Sequence, residues 1–167
     1  DSYDDFSTAS QATITALSQA ESYYKEQYET VVQLLPNVPI RNSKDIIHQY
    51  TEFKKSGTNF QISYFKFGWM NPWWAVEKYE EKKFRWIHPE VFNKRSQELP
   101  ELFCPSGAIW IAKCANLKSE GTFYGSGFSF CELNWKSAVD IDTYEDLEFA
   151  KAVYLMGKSD CNEDINR

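Results

Sequence analysis

Near the C-terminus the chain reads Ser137-Ala138-Val139-Asp140-Ile141-Asp142-Thr143-Tyr144-Glu145-Asp146-Leu147, placing two carboxylates two residues apart where a short apolar strand should hand over to a helix. Residues i and i+2 of a strand project from the same face, roughly 6.5 Å apart. At an effective dielectric of about 20, two ionised aspartates at that separation repel by roughly 2.5 kcal/mol. A divalent cation held between them removes that cost. Oxygen ligands at the mouth of a strand suit Mg²⁺, which takes one or two carboxylates, several waters and substrate phosphates. The same spacing has a second reading, in which Asp142 or Thr143 caps the following helix and Asp140 is merely solvated. Spacing alone leaves both open.

Working outward from that pair, the chain alternates apolar strands with amphipathic helices. Ser7-Thr8 stand before Ile14, Leu17, Tyr24 and Tyr28, a helical spacing behind an N-cap. Val31-Val32-Gln33-Leu34-Leu35, stopped by Pro36, reads as a buried strand of a parallel sheet. Asn42 or Ser43 then caps a helix carrying Ile46, Ile47, Tyr50 and Phe53, which Lys54-Lys55-Ser56-Gly57 closes. Gln61 to Phe67, Trp69 to Val76 and Lys83 to His88 read as strands of an antiparallel excursion over about residues 66–95, with Glu77 to Lys83 a solvated turn. A buried strand follows from Cys104 to Ala112, then a helical turn, a strand from Phe128 to Leu133 and a final helix on Leu147, Ala150 and Val153 or Tyr154. Gly125-Ser126-Gly127 reads as a turn, and the polar tail from Lys158 as frayed. The expected fold class is α/β, a mostly parallel sheet with helices on both faces.

Composition narrows the function. The 167 residues suffice for one domain with a proper core. A net charge of −6, without a dense Lys/Arg run, argues against a nucleic-acid or anionic-membrane surface. No apolar stretch reaches transmembrane length and the opening residues are acidic, so the expected location is cytoplasmic. The four cysteines form no CxxC pair, and His48 and His88 lie far apart, which disfavours zinc and leaves no base beside a Cys nucleophile. Reduced thiols are expected. The 12 Phe, 10 Tyr and 6 Trp imply an aromatic-lined pocket or interface. Trp69, Trp73, Trp74 and Trp86 crowd into the excursion, as a subunit interface, a pocket wall or plain core.

Four pieces of the chain occur together in the order and approximate spacing of one family: Leu34-Leu35-Pro36-Asn37-Val38-Pro39-Ile40-Arg41, Gln97-Glu98-Leu99-Pro100, Pro105-Ser106-Gly107-Ala108-Ile109-Trp110-Ile111 and the Asp140-to-Asp146 stretch. In this the chain resembles, over nearly its whole length, the acylneuraminate cytidylyltransferases, or CMP-sialic acid synthetases. Pseudaminic and legionaminic acid cytidylyltransferases look similar, as do the more distant enzymes that activate an octulosonic acid. The resemblance implies a Rossmann-like nucleotidyltransferase in three layers, with a protruding dimerisation excursion and a homodimer. The implied reaction transfers CMP from CTP to the anomeric hydroxyl of an acidic nine-carbon 2-keto sugar, releasing pyrophosphate with Mg²⁺.

By the same resemblance, Asp140 and Asp142 match the metal-binding catalytic pair, and Asp140 also matches a proton acceptor for the sugar hydroxyl. Trp110, Phe123 and Tyr124 match the wall around the sugar and its N-acyl group, beside Ser106 and Gly107. Arg95, with Gln97, matches the arginine that faces the sugar carboxylate, a bidentate partner by chemistry. The chain departs from the family pattern in places: the arginine comes one residue early with Ser96 at its place, Ser106 replaces an Asn, Leu35 and Asn37 replace a Gln and a Thr, and the lysine of the dimerisation segment falls near Trp74. These departures fit a divergent subgroup acting on a sugar acid related to N-acetylneuraminate or on another acid-sugar. The family also opens with a strand and a Gly/Arg-rich phosphate loop that this sequence does not show, so the 167 residues alone are expected to turn over CTP weakly or not at all. A non-catalytic sugar-acid-binding or dimerisation module on the same fold is the alternative.

Overall fold

A computed structural model of the chain describes residues 8–163, with side chains through residue 157. In chain order the elements are α1 (Ala9–Tyr24), β1 (Thr30–Gln33), α2 (Ser43–Ser56), β2 (Phe60–Lys66), β3 (Val76–Glu80), β4 (Lys83–Trp86), β5 (Phe103–Lys113), α3 (Cys114–Glu120), β6 (Ser129–Glu132) and α4 (Tyr144–Glu163), with short 3₁₀ turns between some of them. They form two compact units: residues up to Tyr64 together with those from Pro105 onward, and Phe65–Cys104.

Local chemistry sets the helix ends. Thr8 Oγ1 accepts the N–H of Gln11 at 3.3 Å to start α1, while Ser7 lies outside the described residues. Asn42, not Ser43, caps α2: its Oδ1 accepts the N–H groups of Lys44 (2.8 Å) and Asp45 (3.3 Å), and Asp45 Oδ2 accepts the Asn42 N–H at 2.9 Å. This reciprocal box satisfies donors that a helix start otherwise leaves orphaned. Gly57 ends α2 at φ 70°, where a side chain would be strained. The last helix runs to Glu163, into the polar tail. Residues 164–167 of that tail lie outside the described residues.

The first unit is built on a four-stranded sheet in the order β1-β5-β2-β6. Strands β1 and β5 are antiparallel, Thr30 opposite Lys113 and Gln33 opposite Trp110. β5 also runs antiparallel to β2, as the N–H of Lys113 donates to Asn59 O (2.9 Å) and that of Phe67 to Leu102 O (3.1 Å). Only β2 and β6 are parallel. The expectation of a mostly parallel sheet, with β1 among its parallel strands, is therefore corrected. A continuous apolar run such as Val31-Val32 reports cover on both faces of a strand, which is commonest in parallel sheets but does not fix direction.

Three layers follow from the pleat. Phe60 packs with Ala112, Leu117 and Phe123, against Ile14 of α1. Its neighbour Gln61 points to the opposite face, where its Nε2 donates to Gln49 O (2.8 Å) and Oε1 (3.2 Å) on α2. Because successive strand side chains alternate, α1 and α3 cover one face and α2 the other. Gln49 is itself fully buried, and its Nε2 reaches Cys131 O (3.3 Å) and Glu132 O (2.8 Å), tying α2 to the β6 edge.

The second unit carries the β3–β4 hairpin, with Val76 opposite Trp86 and Glu77 opposite Arg85. Every residue of both strands is exposed. The strand expected over Trp69 to Val76 is absent: Asn71 Oδ1 accepts the Trp73 N–H at 3.1 Å and starts a 3₁₀ turn over Pro72–Trp74. The charge run read as a solvated turn is strand β3 instead. Alternation marks a strand only when one face is buried, and this ribbon buries neither; Glu77 and Arg85 pair across it at 2.7 Å. Trp73 Nε1 donates to Pro100 O at 2.9 Å and its ring lies 4.8 Å from that of His88. Among the described residues no helix is long and apolar enough to cross a membrane.

Candidate functional site

The loop from Leu34 to Arg41, between β1 and α2, is fixed by its own side chains. Val38 has no exposed surface, and Arg41 Nη1 donates to Leu35 O (2.6 Å) and Val38 O (2.9 Å). Ile40 packs with Ile141 against Val139, Ala150 and Val153, so the loop and the start of α4 share one apolar cluster. The N–H of Ile141 donates to Asn37 O at 3.0 Å. That bond brings the carboxylates to the loop: Asn37 Nδ2 lies 2.5 Å from Asp140 Oδ1 and 3.5 Å from Asp142 Oδ1.

The apolar strand expected before the pair is absent. Residues 135–138 form a 3₁₀ turn, and Val139 is buried against α4 rather than in a ladder. The two readings of the aspartates are nonetheless separated. Thr143 Oγ1 accepts the Asp146 N–H at 3.2 Å, and Asp146 Oδ2 accepts from the N–H groups of Asp142 (3.1 Å) and Thr143 (2.8 Å) and from Thr143 Oγ1 (2.8 Å). Thr143 and Asp146 thus make the helix cap, and neither paired carboxylate is spent on it. The Thr143 hydroxyl and neighbouring backbone donors hold the Asp146 carboxyl below the usual range. Partial desolvation, and then the charge of Asp142, push the Asp140 carboxyl above it.

These oxygens converge on one small volume, since a single nitrogen lies within 3.5 Å of both carboxylates. Among the described residues no cluster of three or more His, Cys, Asp or Glu side chains converges to hold a metal. Two carboxylates, with the other positions left to water and phosphate, are the donor set that fits Mg²⁺.

The residues expected to wall a sugar form a second cluster. The Trp110 ring lies 5.4 Å from that of Phe123 and 5.5 Å from that of Tyr124, and Tyr124 continues to Phe128 at 6.0 Å. Phe123 has no exposed surface and backs Trp110 instead of facing outward, whereas Tyr124 is half exposed. Ser106 is buried and structural: its carbonyl accepts from Trp110 Nε1 (2.7 Å) and Ser63 Oγ (3.1 Å), which holds the indole in place. A Cβ on Gly107 would come within 2.5 Å of Leu35 Cδ1, so the glycine lets the loop approach β5 closely. Gly125 plays the same part under Phe60, whose ring a Cβ would meet at 2.4 Å, and Gly127 completes the turn at φ 74°. The loop therefore touches β5 through Leu35 and the carboxylates through Asn37. Arg95 and Gln97 belong to the other unit, at a 3₁₀ turn over Ser96–Glu98 where Glu98 Oε2 accepts the Arg95 N–H at 3.3 Å.

Asn37 and Arg41 are the contributors that the residue-by-residue reading passed over. Both sit inside the quoted Leu34-to-Arg41 stretch; a polar side chain between two prolines was the available signal.

No family model matches the chain. By structure it is similar to a CMP:2-keto-3-deoxy-manno-octonic acid synthetase complexed with CTP, with a TM-score of 0.57 at 12% identity over 93% of this chain and 70% of that one, so the two share a fold. By sequence it is similar to post-translational flagellin modification protein B of Campylobacter coli, 24% identical over 141 residues. That match takes in 84% of this chain but 58% of the relative, so the chain spans little more than half the relative's length.

Proposed function

We propose that this chain is the acid-sugar and metal-binding part of a cytidylyltransferase, transferring CMP from CTP to the anomeric hydroxyl of a sialic-acid-like nine-carbon 2-keto sugar acid. The observation that carries the reading is the convergence of Asp140 and Asp142, unspent on the helix cap, in a fold shared with a CTP-bound synthetase. In the reaction the sugar hydroxyl oxygen bonds to the α-phosphorus of CTP, the bond to the β-phosphate oxygen breaks and pyrophosphate leaves. The hydroxyl proton passes to the Asp140 carboxylate, the acceptor that the family resemblance assigns to it. Asp140 and Asp142 are the residues that would hold Mg²⁺, which when bound would neutralise charge on the triphosphate. Trp110 and Tyr124 present the aromatic wall for the sugar; Arg95 and Gln97, on the other unit, have side chains suited by their chemistry to a carboxylate. A relative that modifies flagellin and a fold neighbour that makes a CMP-linked octonic acid support an acidic sugar as acceptor.

The test is calorimetric titration of CTP with Mg²⁺, followed by a pyrophosphate-release assay over a panel of sialic, legionaminic, pseudaminic and octulosonic acids. Metal-dependent CTP binding lost in Asp142→Ala, with the far-UV spectrum unchanged, supports the enzyme. Metal-independent binding of the sugar acids, with no CTP binding, favours the second reading, a sugar-acid-binding or dimerisation module. The exposed β3–β4 ribbon favours that module, and in either reading we assign it to homodimer contact. A monomer by light scattering at micromolar concentration overturns that assignment.

A further inference from the structure

We infer that Asn37 is a positioning residue for the carboxylate pair: its side-chain amide bridges Asp140 and Asp142, and with a cation bound to the pair its carbonyl oxygen would be the atom to turn toward it. The inference rests on the metal-binding reading of the pair given above.

The bridge is visible in the geometry. One amide nitrogen faces both carboxylates, at 2.5 and 3.5 Å. The side chain comes from a backbone held on both sides: Asn37 O accepts the Ile141 N–H, and the next residue, Val38, is fully buried with its carbonyl held by Arg41. Asn37 is therefore aimed at the pair by the fold rather than swept past it on a loose loop. The neighbouring carboxylate of Asp146 takes no part because Thr143 and the backbone occupy it.

A neutral donor suits this place in a way that a cation side chain would not. The amide N–H offsets part of the repulsion between two like charges yet leaves both charges standing, so a dication still gains the full attraction. Asparagine carries donor and acceptor on opposite sides of one plane, and rotation about its terminal torsion, which is broad and soft, exchanges them. Leucine has neither group, and a lysine ammonium would compete with the metal.

The test uses the whole 167-residue chain and two readouts that do not require turnover. The first is the Asn37 side-chain NH₂ resonance, assigned by its loss in Asn37→Ser; it is expected to shift in Asp140→Asn at neutral pH. The second is Mn²⁺ affinity by water-proton relaxation, with and without CTP. Asn37→Asp adds a third carboxylate and is expected to tighten Mn²⁺ binding about tenfold while lowering the melting temperature of the metal-free protein. Asn37→Leu is expected to lower the metal-free melting temperature and to weaken Mn²⁺ binding. An NH₂ resonance unmoved by Asp140→Asn, or Asn37→Asp without effect on either affinity or melting, overturns the inference. If Mn²⁺ binds Asp140→Asn and Asp142→Asn as well as it binds the parent chain, the metal reading itself fails, and the bridge then stands or falls on the resonance alone.

Discussion

In the four-stranded unit Phe60, Ile62, Ile109 and Ile111 have no exposed surface, while across the β3–β4 ribbon every residue is exposed, Phe84 at 59% and Trp86 at 41%. Both regions are β-structure with paired registers. They differ in what holds the register. A strand covered on both faces cannot slip by one residue without moving its apolar set to the wrong side. A two-stranded ribbon with no covered face has only its ladder, its turn at Lys82 and pairs such as Glu77 with Arg85, and such hairpins are marginal alone. The first unit thus specifies its register by burial, and the ribbon holds its own by ladder, turn and surface pairs.

The sharpest way to break this contrast is a pair of equivalent truncations. Phe60→Ala empties a fully buried ring site and is expected to lower stability by about 3–5 kcal/mol in urea unfolding. Next in size is Gln49→Leu. It strands the Cys131 and Glu132 carbonyls inside the protein, while the Gln61 amide keeps the Gln49 backbone carbonyl, and it should lower stability by roughly 2–3 kcal/mol with no loss of apolar packing. Thr143→Ala removes the cap of α4 and is expected to cost about 1 kcal/mol, read as faster amide exchange in the first turn of that helix.

Asp140→Asn should act in the opposite direction. In the folded protein the Asp140 carboxyl is held above its unfolded value, by partial desolvation and then by Asp142, so ionisation disfavours the fold. The relative stability is greatest below the unfolded carboxyl pKa and is lost as pH rises through the raised folded one. The variant is therefore expected to melt slightly higher than the parent at neutral pH, with the difference closing below about pH 4, while metal-dependent CTP binding is lost. The smallest change is in the ribbon: Phe84→Ala should move the unfolding of the monomer by no more than about 0.5 kcal/mol. A loss there as large as that of Phe60→Ala would erase the distinction between the two regions.

Most elements of the first unit were legible because their signals are local. Thr8 and Asn42 are short polar caps ahead of periodic apolar residues, and Gly57 is the left-handed stop. In the ribbon the strand expected over Lys83 to His88 is there as β4, but β3 escaped because the strand signal is a burial signal: Trp69 to Val76 reads as a strand from its aromatics, and Glu77 to Lys83 as a turn from its charges. The direction of β1 was misread for a related reason, since nothing in Val31-Val32 encodes whether the neighbouring strand runs up or down.

The sequence by itself determined that two carboxylates stand next to a helix start, that a proline-bounded loop follows the first strand, and that the chain carries an aromatic excess, because each of these is a matter of residue type and spacing. Only the tertiary structure decided that Thr143 and Asp146, rather than the pair, cap the helix, and that Phe123 backs Trp110 from the core. It alone brought Asn37 to Asp140, which is 103 residues away in the chain. A hydrogen bond across that separation depends on where the apolar cluster of Ile40, Ile141 and Val153 puts two loops, and no local pattern records it.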